Sequence, residues 1–166
     1  MNTSESSGRK NSSRAPRALT YESGSPRATR ALGALLAQEL RKEKGPIVLA
    51  LRGDLGSGKT TFLKGLARGF RINALVISPT FLIVRRYKIP GRKSLRYFYH
   101  VDAYRLARAK EFRDIGWNAM LHAPAHIVAI EWAEHVPKRL LPPSIEIAFS
   151  HASPKKRIIT IRADYL

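Results

Sequence analysis

The chain has 166 residues, of which 44% are hydrophobic and none is cysteine; this suits one domain and excludes disulfides, thiolate catalysis and Cys-ligated zinc. Thirty Lys and Arg against twelve Asp and Glu give a formal net charge of +18, which points to a polyanionic partner; a solubilising surface or a cation-biased proteome is the plain alternative. The longest unbroken apolar run is Ile47-Val48-Leu49-Ala50-Leu51, and no apolar stretch of the secretory kind opens the chain, so the expectation is a soluble, unexported, cytoplasmic protein with no membrane partner.

Residues 1–17 hold four cations, one acid and almost nothing to bury. They are expected to form a flexible basic tail, with a single domain over 18–166. A short strand is expected near Leu19-Thr20-Tyr21. Ser25-Pro26 has the form of a helix cap with proline in the first turn. Ala28, Ala31, Leu32, Leu35 and Leu36 follow at helical spacing, which predicts that they form the core face, and Gly45-Pro46 is expected to stop the helix. A buried strand at 47–51, a glycine-rich loop and a second helix come next. In that helix Leu63, Leu66, Ala67 and Phe70 repeat at i, i+3, i+4 and i+7.

Two β-rich runs, near 81–87 and 95–101, are joined by the turn signal Ile89-Pro90-Gly91-Arg92-Lys93. A helical stretch is expected over about 107–121, interrupted near Gly116. Ile127-Val128-Ala129-Ile130 is another buried strand, and residues 145–149 and 157–161 form a closing pair. The order predicts an α/β domain with a mixed parallel/antiparallel sheet.

Gly53-Asp54-Leu55-Gly56-Ser57-Gly58-Lys59-Thr60 matches G-x-x-x-x-G-K-[ST] at every fixed position. Triphosphate oxygens need several donors converging on a small volume, and successive backbone N–H groups in a tight loop supply them. The helix opening at Lys59 adds its unpaired N–H groups. The Lys59 charge suits the β/γ-phosphates, and the Thr60 hydroxyl suits Mg²⁺. The loop lies between a buried strand and an amphipathic helix, where that function requires it. No guanine-reading Asn-Lys-x-Asp segment is present, so ATP is the expected nucleotide.

A phosphate loop needs acids at neighbouring strand ends to hold magnesium and order water. Glu131 follows the buried run 127–130, and Asp102 follows Tyr97-Phe98-Tyr99-His100-Val101. Each is a candidate for this work, and each has a plainer reading as an acid capping a loop. His100 is open between a core histidine and a catalytic one.

Gly53-Asp54-Leu55-Gly56-Ser57-Gly58-Lys59-Thr60-Thr61-Phe62, then Ser78-Pro79-Thr80-Phe81, His100-x-Asp102-x-Tyr104-Arg105 and Ile130-Glu131-Trp132 follow in this order. Together they resemble the bacterial TsaE (YjeE) family over about residues 19–162, with Thr29 ahead of Leu32-Gly33 matching its first helix. The resemblance implies a three-layer P-loop NTPase-like domain. It also implies a small ATPase serving threonylcarbamoyladenosine formation in tRNA, with low intrinsic activity raised in a complex with TsaD and TsaB. Its cofactors would be ATP and Mg²⁺, and tRNA would be met directly or through that complex.

Carried across by motif, residues 53–61 and Trp132 would bind the nucleotide, and Thr60 and Glu131 would hold Mg²⁺. Lys59, Asp102, Glu131 and Thr80 would form the catalytic set, with Asp102 supporting hydrolysis. Ser78 to Phe81 would be a switch-like segment near the γ-phosphate, and the helix start around Ser25 and Pro26 would lie near the nucleotide. Tyr104 and Arg105 have bracing of the Asp102 loop as their plainer reading, with a phosphate or a partner acid also open to Arg105, and Trp132 keeps packing as its own.

The chain departs from the family at Ala133, where proline often follows Glu-Trp. The cluster Arg85, Arg86, Lys88, Arg92, Lys93 and Arg96 is also heavier than the family needs, and reads as a solvated hairpin or an RNA contact. One of Lys155, Lys156 and Arg157 is expected near the nucleotide. Two other functions stay open at this stage: a small-molecule kinase with the Arg-rich hairpin as its lid, and a nucleic-acid-binding module with a weak nucleotide site.

Overall fold

The computed structural model describes residues 17–43, 45–79, 82–91 and 94–163. In chain order their elements are β1 (Arg17–Ser23), α1 (Pro26–Leu40), β2 (Ile47–Arg52), α2 (Lys59–Gly69), β3 (Val84–Lys88) and β4 (Tyr97–Asp102). After these come α3 (Ala109–Asp114), α4 (Trp117–His122), β5 (His126–Glu131), β6 (Ile145–His151) and β7 (Arg157–Ala163). Arg17, placed in the tail by composition, opens β1; the rest of the expected tail lies outside the described residues.

Among the described residues the strands form one sheet in the order β1-β7-β6-β2-β5-β4-β3. β2 is parallel to both β5 and β6, and β4 is parallel to β5. The pairs β3–β4, β6–β7 and β1–β7 are antiparallel. The mixed sheet expected from the order of strands and helices is the one observed.

Successive strand residues point to opposite faces. From β2, Leu49 and Leu51 enter a core shared with Leu32 of α1 and with Phe62 and Leu66 of α2. Val48 and Ala50 enter a second core, with Phe112 of α3 and Trp117 and Met120 of α4. β5 divides the same way, Ile127 and Ala129 to the first core and Val128 and Ile130 to the second. Burial on both faces is why these strands read as continuous apolar runs. It also gives three layers, helix on sheet on helix.

The buried face of α1 is Thr29, Leu32, Gly33, Ala37 and Leu40, whereas Ala31 and Leu35 of the expected stripe are exposed. The close approach of α1 and α2 explains the rotation. A Cβ on Gly33 would stand 2.3 Å from the Phe62 carbonyl oxygen, and one on Gly65 would stand 2.0 Å from that of Arg30. Glycine forms the seam, and a hydrophobic stripe does not count glycine. The helix also ends at Leu40, short of Gly45. Beyond Leu40 the side chains of Arg41, Lys42 and Glu43 offer no further apolar face, and Arg41 donates to the Gly69 carbonyl at 3.3 Å.

Two further boundaries shift. β3 begins at Val84 because Leu82 and Ile83 donate their N–H groups to the Pro79 carbonyl, at 2.8 and 2.6 Å, and turn the chain first. β4 begins at Tyr97, and the Arg96 N–H just before it goes to Ala125 O at 2.8 Å. The expected break at Gly116 is present: its φ of 72° caps α4 in the left-handed conformation that glycine adopts without strain.

Candidate nucleotide-binding site

The chain crosses from the end of β2 to the start of α2 through a loop in which Gly53, Gly56 and Gly58 have φ of 133°, 74° and 107°. A side chain at these torsions would be strained, and at Gly53 a Cβ would also stand 2.3 Å from the Phe149 carbonyl oxygen. Ser57 N donates to Asp54 O at 3.2 Å and tightens the turn. This loop walls a cavity of about 430 Å³ to which Leu55, Gly56, Ser57, Gly58, Lys59, Thr60 and Thr61 contribute. Ser78, Asp102, Tyr104, Glu131 and Trp132 complete the lining.

Asp102 and Glu131 end the adjacent parallel strands β4 and β5 and lie opposite each other in register. Glu131 is 3% exposed. Its carboxylate accepts from Thr60 Oγ1 at 2.9 and 3.0 Å and from His100 Nε2 at 2.8 Å. An ionised carboxylate only accepts, so Nε2 carries the proton. His100 is fully buried and is not among the cavity-lining residues; of its two readings the geometry favours the bonded core histidine, here bracing Glu131. Asp102 accepts from Ser78 Oγ at 2.9 Å and from Tyr104 N at 3.0 Å.

Lys59 Nζ donates to the carbonyls of Gly53 and Asp54 and lies 3.7 Å from the centroid of the Trp132 ring. Burial pushes its ammonium below the ordinary lysine range, while Glu131, Glu134, Asp102 and Asp54 act against that shift. Trp132 has φ 60°, an uncommon conformation for a bulky residue. It packs on the second core as well as lining the cavity. Tyr104 stands beside it at 4.9 Å between ring centroids.

A second cavity, of about 350 Å³, adjoins the first across Gly56, Gly58 and Thr61. The expected helix start is here: Ser25, Pro26 and Thr29 line it, together with Lys155 and Arg157. Ser25 Oγ caps α1 by accepting from Ala28 N at 3.1 Å. Arg157 grips the loop itself, with Nε and Nη2 both 3.3 Å from the Gly56 carbonyl. Lys156 is turned away to Glu22 at 2.7 Å. Arg157 is therefore the late cation that stands on the loop, a choice the sequence left open.

Thr80 and Phe81 of the expected switch segment lie outside the described residues, as do Arg92 and Lys93 of the basic cluster. Ser78 and Pro79 are described, and Ser78 reaches the cavity. Just beyond, Ile83 takes φ 65°, an outlier for a β-branched residue; its carbonyl accepts from Asp102 N at 2.9 Å. The described residues of the turn between β3 and β4 do not line this cavity. Lys88, Pro90 and Gly91 line a groove with Arg71, which follows α2, whereas the cavity lies at the first turn of α2.

The residues present suit a magnesium nucleotide. Ser57 Oγ is buried and finds no partner among the described residues, and such a group is costly unless a ligand completes it. Thr60 Oγ1 and the Glu131 carboxylate give two hard oxygen donors side by side, the donor type Mg²⁺ takes from protein when phosphate and water supply the rest.

A glycine-rich phosphate loop between the central strand of a mixed sheet and a helix, with acids on the two adjacent parallel strand ends, defines a P-loop nucleotide-binding α/β domain. Residues 23–159 match the family model for "Threonylcarbamoyl adenosine biosynthesis protein TsaE". The chain is 34% identical over 145 residues to the tRNA threonylcarbamoyladenosine biosynthesis protein TsaE of Bacillus subtilis, covering 87% of this chain and 85% of that one. It is 38% identical over 119 residues to the protein so named from Treponema pallidum, covering 72% and 83%. The crystal structure of Bacillus subtilis YdiB matches with a TM-score of 0.68 at 29% identity, over 92% of this chain and 90% of that one. The chain belongs to the TsaE family.

Proposed function

We propose that this chain is an ATP-binding and ATP-hydrolysing subunit required for threonylcarbamoyladenosine modification of tRNA, acting with TsaD and TsaB. The observation that carries this reading is one cavity joining the phosphate loop to Thr60, Asp102 and Glu131, in a chain of the TsaE family. A cytoplasmic location fits it. Among the described residues no helix is long and apolar enough to cross a membrane.

In this reading the loop's backbone N–H groups, Ser57 Oγ and Lys59 hold the triphosphate. Phosphate oxygens would add counter-charge to the Lys59 ammonium, which burial disfavours. Thr60 and Glu131 would hold Mg²⁺, whose charge would offset the negative charge developing on the phosphate oxygens. His100 fixes the Glu131 carboxylate, as an outer hydrogen bond fixes a metal ligand. Asp102, held by Ser78 and Tyr104, faces the same cavity and orients the attacking water. Trp132 closes over Lys59 and excludes water from it. Thr80 keeps its proposed catalytic role through the resemblance alone. The second cavity, with Ser25, Thr29, Lys155 and Arg157 around it, takes the rest of the nucleotide.

The test is nucleoside analysis of tRNA from cells lacking their own TsaE. This chain is expected to restore threonylcarbamoyladenosine, and the Lys59→Ala variant is not. Undiminished threonylcarbamoyladenosine without any such protein, or no restoration by a well-expressed wild type, would remove the proposal.

A further inference from the structure

β3 is the edge strand beyond β4, and β4 lies between it and β5. Side chains alternate along each strand. Val84, Arg86 and Lys88 therefore share one face with Tyr97, Tyr99 and Val101 of β4 and with His126, Val128 and Ile130 of β5. This is the face of the second core, where Val101, Val128 and Ile130 are buried with residues of α3 and α4. Toward the start of β4 and β5 the cover is incomplete: Tyr97, Tyr99 and His126 are half-buried, and Arg86 and Lys88 are exposed.

The three rings form one cluster. His126 stands 4.8 Å from Tyr99 and 5.8 Å from Tyr97 between centroids, and the two tyrosines are 6.5 Å apart. His126 Nδ1 donates to the Met120 carbonyl at 3.1 Å, which pins that ring near the end of α4. The Arg86 guanidinium lies 4.9 Å from the centroid of the Tyr97 ring, and Lys88 is paired with Tyr97 across the strands. No acid occurs at positions 82–101 or 115–130, and neither Arg86 nor Lys88 forms an ion pair among the described residues. Cations on an edge strand by themselves only discourage pairing with another strand. Cations beside partly open rings do more, because unpaired bases stack on aromatic rings and on arginine planes while phosphates take up the charge. Tyr97 begins β4 and Asp102 ends it. Roughly 16 Å of strand thus separates the rings from the carboxylates of the nucleotide cavity, and both places can be filled at once.

We propose that this sheet face binds unpaired nucleotides of RNA, with bases stacking on the rings and on the Arg86 plane, and with Arg86 and Lys88 drawing the phosphates. The choice of RNA, and of tRNA as its source, rests on the assignment to tRNA modification above. Stacking and phosphate contact hold a strand without reading its sequence.

The test is fluorescence anisotropy of a labelled single-stranded RNA about ten nucleotides long, and of its duplex form, with the full chain at several salt concentrations. The single strand is expected to bind more tightly than the duplex, whose bases are already stacked, and an unmodified tRNA transcript should displace it. Tyr97→Leu should weaken single-strand binding at least about fivefold and leave the log–log salt slope in place. Tyr97→Phe, which keeps the ring, should stay within about twofold of wild type. Replacing Arg86 and Lys88 together by Gln should flatten the slope by about 1.4, at roughly 0.7 per lost contact on a single strand. Both side chains are exposed, so this variant tests the face independently of any effect of Tyr97→Leu on folding. ATP affinity should remain within about twofold of wild type in every variant, because the two places are far apart. An unchanged slope in the double variant, a duplex bound as tightly as the single strand, wild-type binding by Tyr97→Leu, or no displacement by the transcript would each overturn the proposal. So would tight binding to anionic phospholipid vesicles by a wild type that binds no RNA. Failure of the nucleoside test would remove the modification reading alone, because these measurements read the sheet face directly.

Discussion

Lys59→Ala is expected to weaken ATP binding by about one to two orders of magnitude, the range for losing one or two hydrogen bonds to charged oxygens. The side chain leaves the first turn of α2 and ends among the loop carbonyls and the Trp132 ring, so its apolar contribution to either core is small. The fold should therefore survive. Titration calorimetry against ATP with Mg²⁺, beside a thermal melt of the same preparation, separates the two effects. Near wild-type affinity would show that the phosphates are held elsewhere.

The two acids should fail differently. Asp102→Asn preserves shape and one acceptor oxygen but removes the charge facing the cavity. Nucleotide should still bind through the loop, with phosphate release falling at least about tenfold, or about 1.4 kcal/mol of barrier. Glu131→Gln removes charge from the carboxylate that meets both Thr60 and His100. Its amide nitrogen would bring a donor to a place now met by two donors. The expected result is a loss of nucleotide affinity that is large with Mg²⁺ and small with chelator present. An equal loss in both conditions would mean that Glu131 holds no metal, and unchanged turnover in Asp102→Asn would leave that residue bracing its own loop.

What the sequence disclosed follows from where the chemistry constrains residue type. The phosphate loop was legible because each fixed position answers to a phosphate or a backbone torsion. Glu131 and Asp102 were legible because each ends a strand apolar enough to be recognised. The buried face of α1 was misplaced because Gly33 and Gly65 make the seam by having no side chain, which no hydrophobic period registers. Arg157 could not be singled out among its neighbours, since it meets Gly56 across 101 positions of chain and the β6–β7 pairing sets which cation points back. The brace from His100 to Glu131 needed the parallel register of β4 on β5.

This cavity is expected to turn over ATP in the service of a tRNA-modifying complex. The most direct measurement is phosphate release from Mg-ATP by the protein alone, then with TsaD and TsaB, then with tRNA added, each beside Lys59→Ala. Slow release alone, rising at least about tenfold with both partners and lost in the variant, is the predicted result. Release by the wild type no faster than by Lys59→Ala in all three mixtures would contradict it.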